Sequence, residues 1–327
     1  MSKLIARVML SILLFTLGDS AKAQQPSKVS RIAFLAGNPF SGNTDRIEAF
    51  KQGLRELGYE EGKNLVIEWR SAEGKDDRLP ALAAELVGLN VEVIVSLGPS
   101  GTPVLKKATA TIPIVMTNDP DPVGYGIVAS LARPAGNITG LSTLAPELSG
   151  KQLELLKEIV PNLSRVAVLG RSGEPGNAQT LKELTLAAET LKLQLQNLDV
   201  QGFKDIETSY QSASQQRAGA VLVLTSRVMG GNRPKVIELA TKHRLPTMYY
   251  RSDYVEAGGL MTYSTSFTDL ARRAATYVDK ILKGRTPADL PVEQPKKFEF
   301  IVNLKAAKQI GLTIPPNVLV RADRVIR

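Results

Sequence analysis

Two stretches of this chain, 133 residues apart, carry the same pattern of residues. Residues 112–127 read IPIVMTNDPDPVGYGI and residues 245–260 read LPTMYYRSDYVEAGGL. Each begins with an aliphatic residue and proline, passes through an apolar run and an acidic loop, and ends with glycine and an aliphatic residue. In the same order, residues 29–43 resemble residues 163–177, and NVEVIVSLGPS resembles AGAVLVLTSR. The sequence therefore predicts two similar units in tandem.

Each unit alternates short β-branched runs with amphipathic segments. In the first unit RIAFLA predicts a buried strand, and TDRIEAFKQGLRELG predicts a helix with Ile47, Phe50, Leu54 and Leu57 on one face. Strands separated by helices favour right-handed crossovers and a parallel sheet covered on both faces. We therefore expect an α/β protein of two doubly wound parallel-sheet lobes joined by a hinge.

The repeat also predicts the domain boundaries. The amino-terminal lobe is expected to span residues 28–141, and the carboxy-terminal lobe residues 142–267. A return segment near residues 268–292 is expected to rejoin the first lobe. The closing segment, near residues 298–327, is not assigned to either lobe by its sequence.

The amino terminus predicts an export signal. Basic residues precede a mainly apolar run from Val8 to Leu17, and Ala21 and Ala23 stand in the small-x-small arrangement that a signal peptidase accepts. The alternative is an anchoring helix, but spanning a bilayer takes about 20 apolar residues, roughly twice this run. We expect residues 1–23 to be cleaved, which leaves a soluble chain in a periplasm.

Composition limits the chemistry of the mature chain. It has no cysteine, which excludes disulfides, thiolate metal sites and a lipidated cysteine. Cleavage of residues 1–23 removes three of the 41 basic and one of the 32 acidic residues, which leaves a net charge of +7. The basic residues are scattered and aromatic residues make up only 5% of the chain. Because no basic stripe or stacking platform is evident, nucleic acid is not expected as a partner.

Catalytic patterns are scarce. The single histidine, His243, falls at the predicted end of a helix, where a cation is favoured. Ser100 in GPSGT lacks the glycine spacing of a nucleophile elbow. The segments GYGIVA and GYEEGKN match nucleotide-binding loops only in part. We expect a binding protein without catalytic residue, metal or cofactor; a hydrolase that uses acidic residues is the enzyme alternative.

Ligands of open parallel sheets bind beyond the carboxyl ends of the strands, where loops and helix amino termini donate backbone N–H groups. If two such lobes face each other, the loops after equivalent strands form opposite walls of one cleft. A cleft of this kind closes by hinge motion. The duplicated loops are therefore the predicted binding site.

Five motifs resemble the ABC-transporter substrate-binding family of the tryptophan/tyrosine uptake type. They are GLRELGYEEGKNLVIEWRSAEG, IPIVMTNDPDPVG, LARPAGNITGLS, QLELLKEIVPNLSRVAVL and ILKGRTPADLPVE, and they cover nearly the whole mature chain. The resemblance implies a periplasmic binding protein of the hinged, two-lobe type I class. Such a protein is usually monomeric and delivers a small solute to a membrane permease powered by a separate ATPase subunit.

The chain departs from this family at two loops. Residues 170–174 read GRSGE where family members often have an aromatic, Asn, Pro, Ser and Glu, so the glutamate is kept and the aromatic is lost. Ser226 stands where an aspartate often offers a partner for an ammonium group. Arg171, Arg227 and Arg251 add positive charge nearby, which favours a carboxylic or aromatic acid without an amine. The alternative is that neighbouring acidic residues neutralise these arginines.

Short polar side chains and backbone donors in these loops can orient a ligand without reacting with it. A sensory protein that presents its ligand to a receptor ectodomain is the alternative to a transport role. The candidate ligand-binding residues are Asn38, Ser41, Pro99, Ser100, Asn118 and Asp119 in the first lobe, and Arg171, Glu174, Asn177, Thr225, Ser226, Tyr250 and Arg251 in the second.

Overall fold

A computed structural model describes residues 29–174 and 176–327 of the protein. In this part of the chain two mainly parallel β-sheets each have an apolar core on both faces. This arrangement confirms the predicted pair of doubly wound α/β lobes. The predicted signal peptide lies outside the described residues. None of the helices within the described ranges is long and apolar enough to span a membrane.

The first sheet consists of five parallel strands. Their bounds are Ser30–Ala36 (β1), Leu65–Ser71 (β2), Val93–Leu97 (β3), Ile114–Asp119 (β4) and Ile138–Ser142 (β5). The strands lie in the order β2-β1-β3-β4-β5. The helices between them are Thr44–Glu56 (α1), Leu79–Gly88 (α2) and Gly101–Ala108 (α3).

Strand β1 shows why the central strands of this sheet carry consecutive apolar residues. Ile32 and Phe34 pack in the core beneath α1, whereas Ala33 and Leu35 enter the core beneath α2 on the opposite face. Because successive side chains of a strand point to opposite faces, a sheet covered on both sides needs apolar residues at consecutive positions.

The second sheet repeats the strand order of the first. Its first five strands are Arg165–Gly170 (β6), Gln194–Asp199 (β7), Ala220–Val223 (β8), Thr247–Tyr249 (β9) and Met261–Thr265 (β10), after helix Ala145–Ile159 (α4). They lie in the order β7-β6-β8-β9-β10, which matches β2-β1-β3-β4-β5 strand for strand. The helices of this lobe are Asn177–Leu191 (α5), Phe203–Gln215 (α6), Arg227–Gly231 (α7), Arg233–Lys242 (α8) and Ser252–Glu256 (α9).

The closing segment extends the second sheet. After helix Phe267–Leu282 (α10), the chain forms Phe298–Asn303 (β11), Leu304–Gln309 (α11), Pro316–Leu319 (α12) and Arg324–Ile326 (β12). Strand β11 pairs antiparallel with β10, and β12 pairs parallel with β11, so this sheet has seven strands. The antiparallel edge is a difference from the purely parallel sheet expected from the alternation of strands and helices.

Helix α10 returns to the first lobe and packs against α1. Gly53 of α1 allows this close approach, because a Cβ atom there would lie 2.5 Å from the carbonyl oxygen of Arg272 and 2.9 Å from Cβ of Ala275. Leu270 and Val278 of α10 are buried in the core that α1 covers. The return helix therefore shields one face of the first sheet.

The described chain crosses between the lobes three times, and the crossings lie side by side. They follow β5, precede α10 and precede β11. Thr265 Oγ1 donates a hydrogen bond to the carbonyl of Thr143 at 2.7 Å, and the Ser266 N–H donates to the carbonyl of Lys297 at 3.1 Å. These bonds hold the crossings together as one connection about which the lobes can rotate.

Candidate functional site

The carboxyl ends of the two parallel sheets face each other across a narrow space of about 50 Å³, here called the inner cleft. Loops that follow β1, β3 and β4 in one lobe, and β6, β8 and β9 in the other, form most of its walls. Its lining residues are Gly37, Asn38, Asn43, Arg46, Leu97, Gly98, Pro99, Ser100 and Asn118 from the first lobe, with Glu174, Thr225, Ser226, Arg227, Tyr250, Arg251 and Phe267.

Arg46 is a buried cation without an ionised partner. It lies in the first turn of α1, one turn before Phe50, and is 8% exposed. Its Nη1 donates to Asn43 Oδ1 at 3.0 Å and its Nη2 to Asn118 Oδ1 at 2.5 Å, while its buried Nε has no hydrogen-bond partner. None of the ion pairs among the described residues includes Arg46. Burial and the nearby Arg251 lower the pKa of Arg46 to about 9.

The second arginine of this part of the cleft is ion-paired. Arg251, also 8% exposed, donates from Nε to Asp253 Oδ1 at 3.0 Å and from Nη2 to the other carboxylate oxygen. Arg233 binds the same carboxylate. The Phe267 ring contacts both guanidinium groups, with its centroid 5.3 Å from Cζ of Arg46 and 5.8 Å from Cζ of Arg251. Such cation–π contacts stabilise cations that burial has stripped of water.

Glu174 is the buried carboxylate of the opposite wall. It is 4% exposed and its Oε1 accepts from the Arg227 N–H at 3.3 Å. Burial raises the pKa of Glu174, whereas the bond from Arg227 and the charge of Arg171 lower it less. Within the described ranges no lysine or arginine forms an ion pair with it. The inner cleft thus contains one cation, Arg46, and one anion, Glu174, that form no ion pair with any described residue, although Asp253 and Arg171 act on them from a greater distance.

A further polar atom in the cleft is also without a partner. Asn38 Oδ1 is buried and accepts no hydrogen bond from the described residues. Because amide oxygen and nitrogen are assigned from their surroundings, this atom offers one hydrogen-bonding position of either kind.

The mouth of the cleft is closed by contacts between the lobes. Asp76 of the first lobe forms ion pairs with Arg171, at 3.1 Å, and with Arg227. The Tyr125 hydroxyl donates to the carbonyl of Glu174 at 3.2 Å. At Gly176 a Cβ atom would lie 2.6 Å from Cγ of Pro120 in the other lobe. These contacts define a closed arrangement of the two lobes.

A larger space of about 550 Å³, here called the outer chamber, adjoins the inner cleft. Asn43, Arg46, Arg251 and Phe267 line both spaces. The remaining lining comes from residues 41–45 at the start of α1, residues 252–253, Thr268, residues 297–299, and Arg233, Glu256, Ile301, Asp323 and Arg324.

The structure brings nine of the thirteen candidate residues to the inner cleft: Asn38, Pro99, Ser100, Asn118, Glu174, Thr225, Ser226, Tyr250 and Arg251. Two of these already have local partners, because Ser226 Oγ caps α7 by accepting from the Met229 N–H and the Tyr250 hydroxyl donates to the carbonyl of Ser226.

The other four candidates lie elsewhere. Ser41 lines the outer chamber. Asp119 is turned into its own lobe, where its Oδ2 accepts from Thr102 Oγ1 at 2.7 Å. Arg171 lies at the mouth on Asp76, and the side-chain amide of Asn177 braces the loop by donating to the carbonyls of Arg171 and Thr225.

Sequence reasoning missed Arg46 and Phe267 as lining residues. Both lie in helices, whereas the predicted site consists of loops that follow strands. A signal was present, since Arg46 lies four residues before Phe50 on the apolar face of a predicted amphipathic helix, a position that buries its charge. Arg227 was recognised as a source of charge but not chosen as a site residue.

Two facing α/β lobes with buried, partnerless charges in the space between them define a two-lobed solute-binding protein of the type I class. The chain belongs to the ABC transporter substrate binding protein family, whose model matches residues 38–326. This confirms the resemblance found in the motifs. The family consists of binding proteins and is not a family of enzymes.

Individual relatives agree with this assignment. The chain is 23% identical, over 81% of its length and 76% of the relative, to the tyrosine-binding protein of Clostridioides difficile. A conserved domain protein from Vibrio cholerae has a similar structure, with a TM-score of 0.86, 30% identity and coverage of 91% of this chain and 100% of that one. An ABC domain in complex with L-Trp from Streptococcus pneumonia gives a TM-score of 0.85, with 26% identity and coverage of 91% and 99%.

Proposed function

We propose that the protein is the periplasmic component of an ABC importer that captures a small carboxylate-bearing solute, an amino acid or an aromatic or carboxylic acid, between its lobes. Hinge closure buries the solute, and the closed monomer delivers it to permease subunits in the inner membrane. The observation that carries this proposal is the buried guanidinium of Arg46, which forms no ion pair with a carboxylate of the described chain and whose charge Asp253 offsets only in part.

A charge in a buried site is costly unless it is paired and hydrogen-bonded. The lowered pKa of Arg46 has burial as its first cause, so it reflects this cost. A ligand carboxylate supplies the missing charge, and a planar guanidinium can bind it through two parallel N–H groups. Arg251 contacts the same Phe267 ring and is hydrogen-bonded to Asp253. Its positive charge can attract the ligand carboxylate while this ion pair stays intact.

The opposite wall favours an amino acid over an acid without an amine. Glu174 lacks an ionised partner, so an α-amino acid would place its carboxylate near Arg46 and its ammonium group near Glu174. The named ligands of two relatives, tyrosine and L-Trp, support this choice. An acid without an amine would leave Glu174 protonated or hydrated.

Binding is tested by calorimetry and thermal shift with matched sets: phenylalanine, 3-phenylpropionate and phenethylamine, and the corresponding tyrosine set. We expect the carboxylate compounds to bind and the amines to fail. At a hundredfold excess over its dissociation constant, a ligand stabilises the folded state by about 2.7 kcal/mol. Arg46→Met should weaken binding about a hundredfold, the size expected when one partner of a buried charge pair is removed.

The matched control is Arg272→Met, which removes a half-exposed arginine paired with Glu56 outside the cleft. It should leave affinity unchanged. Equal binding of phenethylamine, or an unchanged affinity in Arg46→Met, would contradict the proposal. Transport is tested separately, because deletion of the gene should reduce uptake of the ligand identified, whereas a purely sensory protein would leave uptake unchanged.

A further inference from the structure

The two spaces beside Arg46 differ tenfold in size. The inner cleft holds about 50 Å³ and the outer chamber about 550 Å³. Pockets for small solutes usually measure roughly 300–1,000 Å³, so the outer chamber falls in this range and the inner cleft does not. In the closed arrangement, the inner cleft has room for a carboxylate or a few waters.

The residues shared by both spaces include the unpaired cation. Arg46 lines both spaces, its Nε is buried without a partner, and its two Nη atoms are held by Asn43 and Asn118. Phe267 contacts both Arg46 and Arg251 and lines both spaces as well. A carboxylate bound at this junction has one way to extend, into the outer chamber.

The outer chamber combines a small apolar surface with charged side chains. Phe267, Phe298 and Ile301 contribute the apolar surface. Lys297, Glu299 and Asp45 also line the chamber and form no ion pair with any described residue. These surfaces can accept a solute with an acidic head at the junction and an apolar body that packs on the three apolar side chains.

We propose that the outer chamber holds the body of the solute, and that the preferred ligands are elongated aryl-alkyl carboxylic acids, with or without an α-amino group, whose carboxylate lies at Arg46. This inference rests on the proposed function, because it takes Arg46 as the carboxylate anchor. It adds where the body of the ligand lies and predicts that longer ligands bind more tightly. Ser41, in the turn before α1, and Thr268, at the start of α10, border the chamber from exposed positions.

The test is calorimetry of the purified exported protein with phenylacetate, 3-phenylpropionate, 4-phenylbutyrate and 5-phenylvalerate. Each added methylene should lower the dissociation constant about threefold to fourfold while the body remains within the chamber. Ser41→Trp and Thr268→Trp should each fill the chamber and weaken 4-phenylbutyrate more than tenfold. Ser214→Trp, an exposed position on α6 far from both spaces, is the matched control and should leave affinity unchanged.

The outcomes separate the two proposals. If Arg46→Met abolishes binding but both chamber-filling variants bind as the wild type does, and affinity does not rise with chain length, the outer chamber is excluded and the carboxylate anchor stands. If no acid of the series or of the amino-acid set binds, or if Arg46→Met has no effect, the anchor itself is wrong. Circular dichroism and the melting temperature of each variant establish that loss of binding is not loss of folding.

Discussion

The two walls of the cleft differ in whether their charged side chains form ion pairs. In the first lobe Arg46 has amide partners and Asp119 has a hydroxyl partner, and neither forms an ion pair among the described residues. In the second lobe Arg251, Arg233 and Asp253 neutralise one another. Glu174 is the exception in that lobe. The comparison teaches that duplicated loops diverged in role, with one wall left open to a ligand and the other held by its own ion pairs.

The duplicated stretches show this divergence position by position. At the offset of 133 residues, Asn118 corresponds to Arg251. Asn118 accepts a hydrogen bond from a cation of its own lobe, whereas Arg251 is the cation and has its acid two residues later. The same backbone position therefore supplies an acceptor on one wall and a donor on the other.

The sharpest test of this comparison replaces each arginine by methionine in the unliganded protein. Arg251→Met should lower the free energy of unfolding by about 3 kcal/mol, because it removes the buried partner of Asp253 and leaves that partly buried carboxylate paired with Arg233 alone. Arg46→Met should change it by less than about 1 kcal/mol, since the lost hydrogen bonds are offset by removal of an unpaired buried charge. Urea denaturation measures both values, and equal losses would remove the distinction between the walls.

The parallel strands and the facing loops were predictable from the sequence. Strands that alternate with helices require parallel crossovers, and the internal repeat produces this arrangement once in each lobe. The loops after strands then supplied most of the cleft lining, including Asn38 and Ser226. The candidate residues remain predictions of ligand contact. What was not predictable depends on contacts between distant parts of the chain.

Three features show this limit. The antiparallel pairing of β11 with β10 leaves no signal in the local sequence, because an apolar strand has the same residue pattern whether its neighbour runs parallel or antiparallel. Arg171 was expected to face a ligand, yet its guanidinium meets Asp76, 95 residues earlier in the chain. Phe267 enters the cleft because α10 begins at a crossing between the lobes.

A second test compares the buried carboxylates. Burial raises the pKa of Asp119 to about 6, and the bond from Thr102 only partly opposes it. Burial also raises the pKa of Asp253, but Arg251 and Arg233 lower it more, so its net shift is downward. The folded state therefore binds the Asp119 proton more tightly than the unfolded chain does. Ionised Asp119 lowers the free energy of unfolding, and this loss is absent below about pH 4, grows between about pH 4 and pH 6, and is complete above about pH 6.

Asp119→Asn should therefore raise the free energy of unfolding by about 2 kcal/mol at pH 8, and the gain should vanish towards pH 4. The amide oxygen can still accept from Thr102. Denaturation curves of wild type and variant across this range provide the measurement, with the exposed Asp77→Asn as control. A gain that is independent of pH would mean that packing, and not the charge, is responsible.

The smallest expected effect concerns the contact that joins the walls. Asp76 is 44% exposed on its side chain and binds Arg171 and Arg227 across the mouth, so its ion pairs are worth at most about 1 kcal/mol. Asp76→Asn should lower ligand affinity about threefold to fivefold and weaken its dependence on salt, because closure loses an ionic contact while the Arg46 anchor is untouched. Asp77→Asn, at the neighbouring exposed position, should bind as the wild type does. If Asp76→Asn also left affinity and salt dependence unchanged, closure would depend on the ligand alone, and the ion pairs at the mouth would contribute nothing to binding.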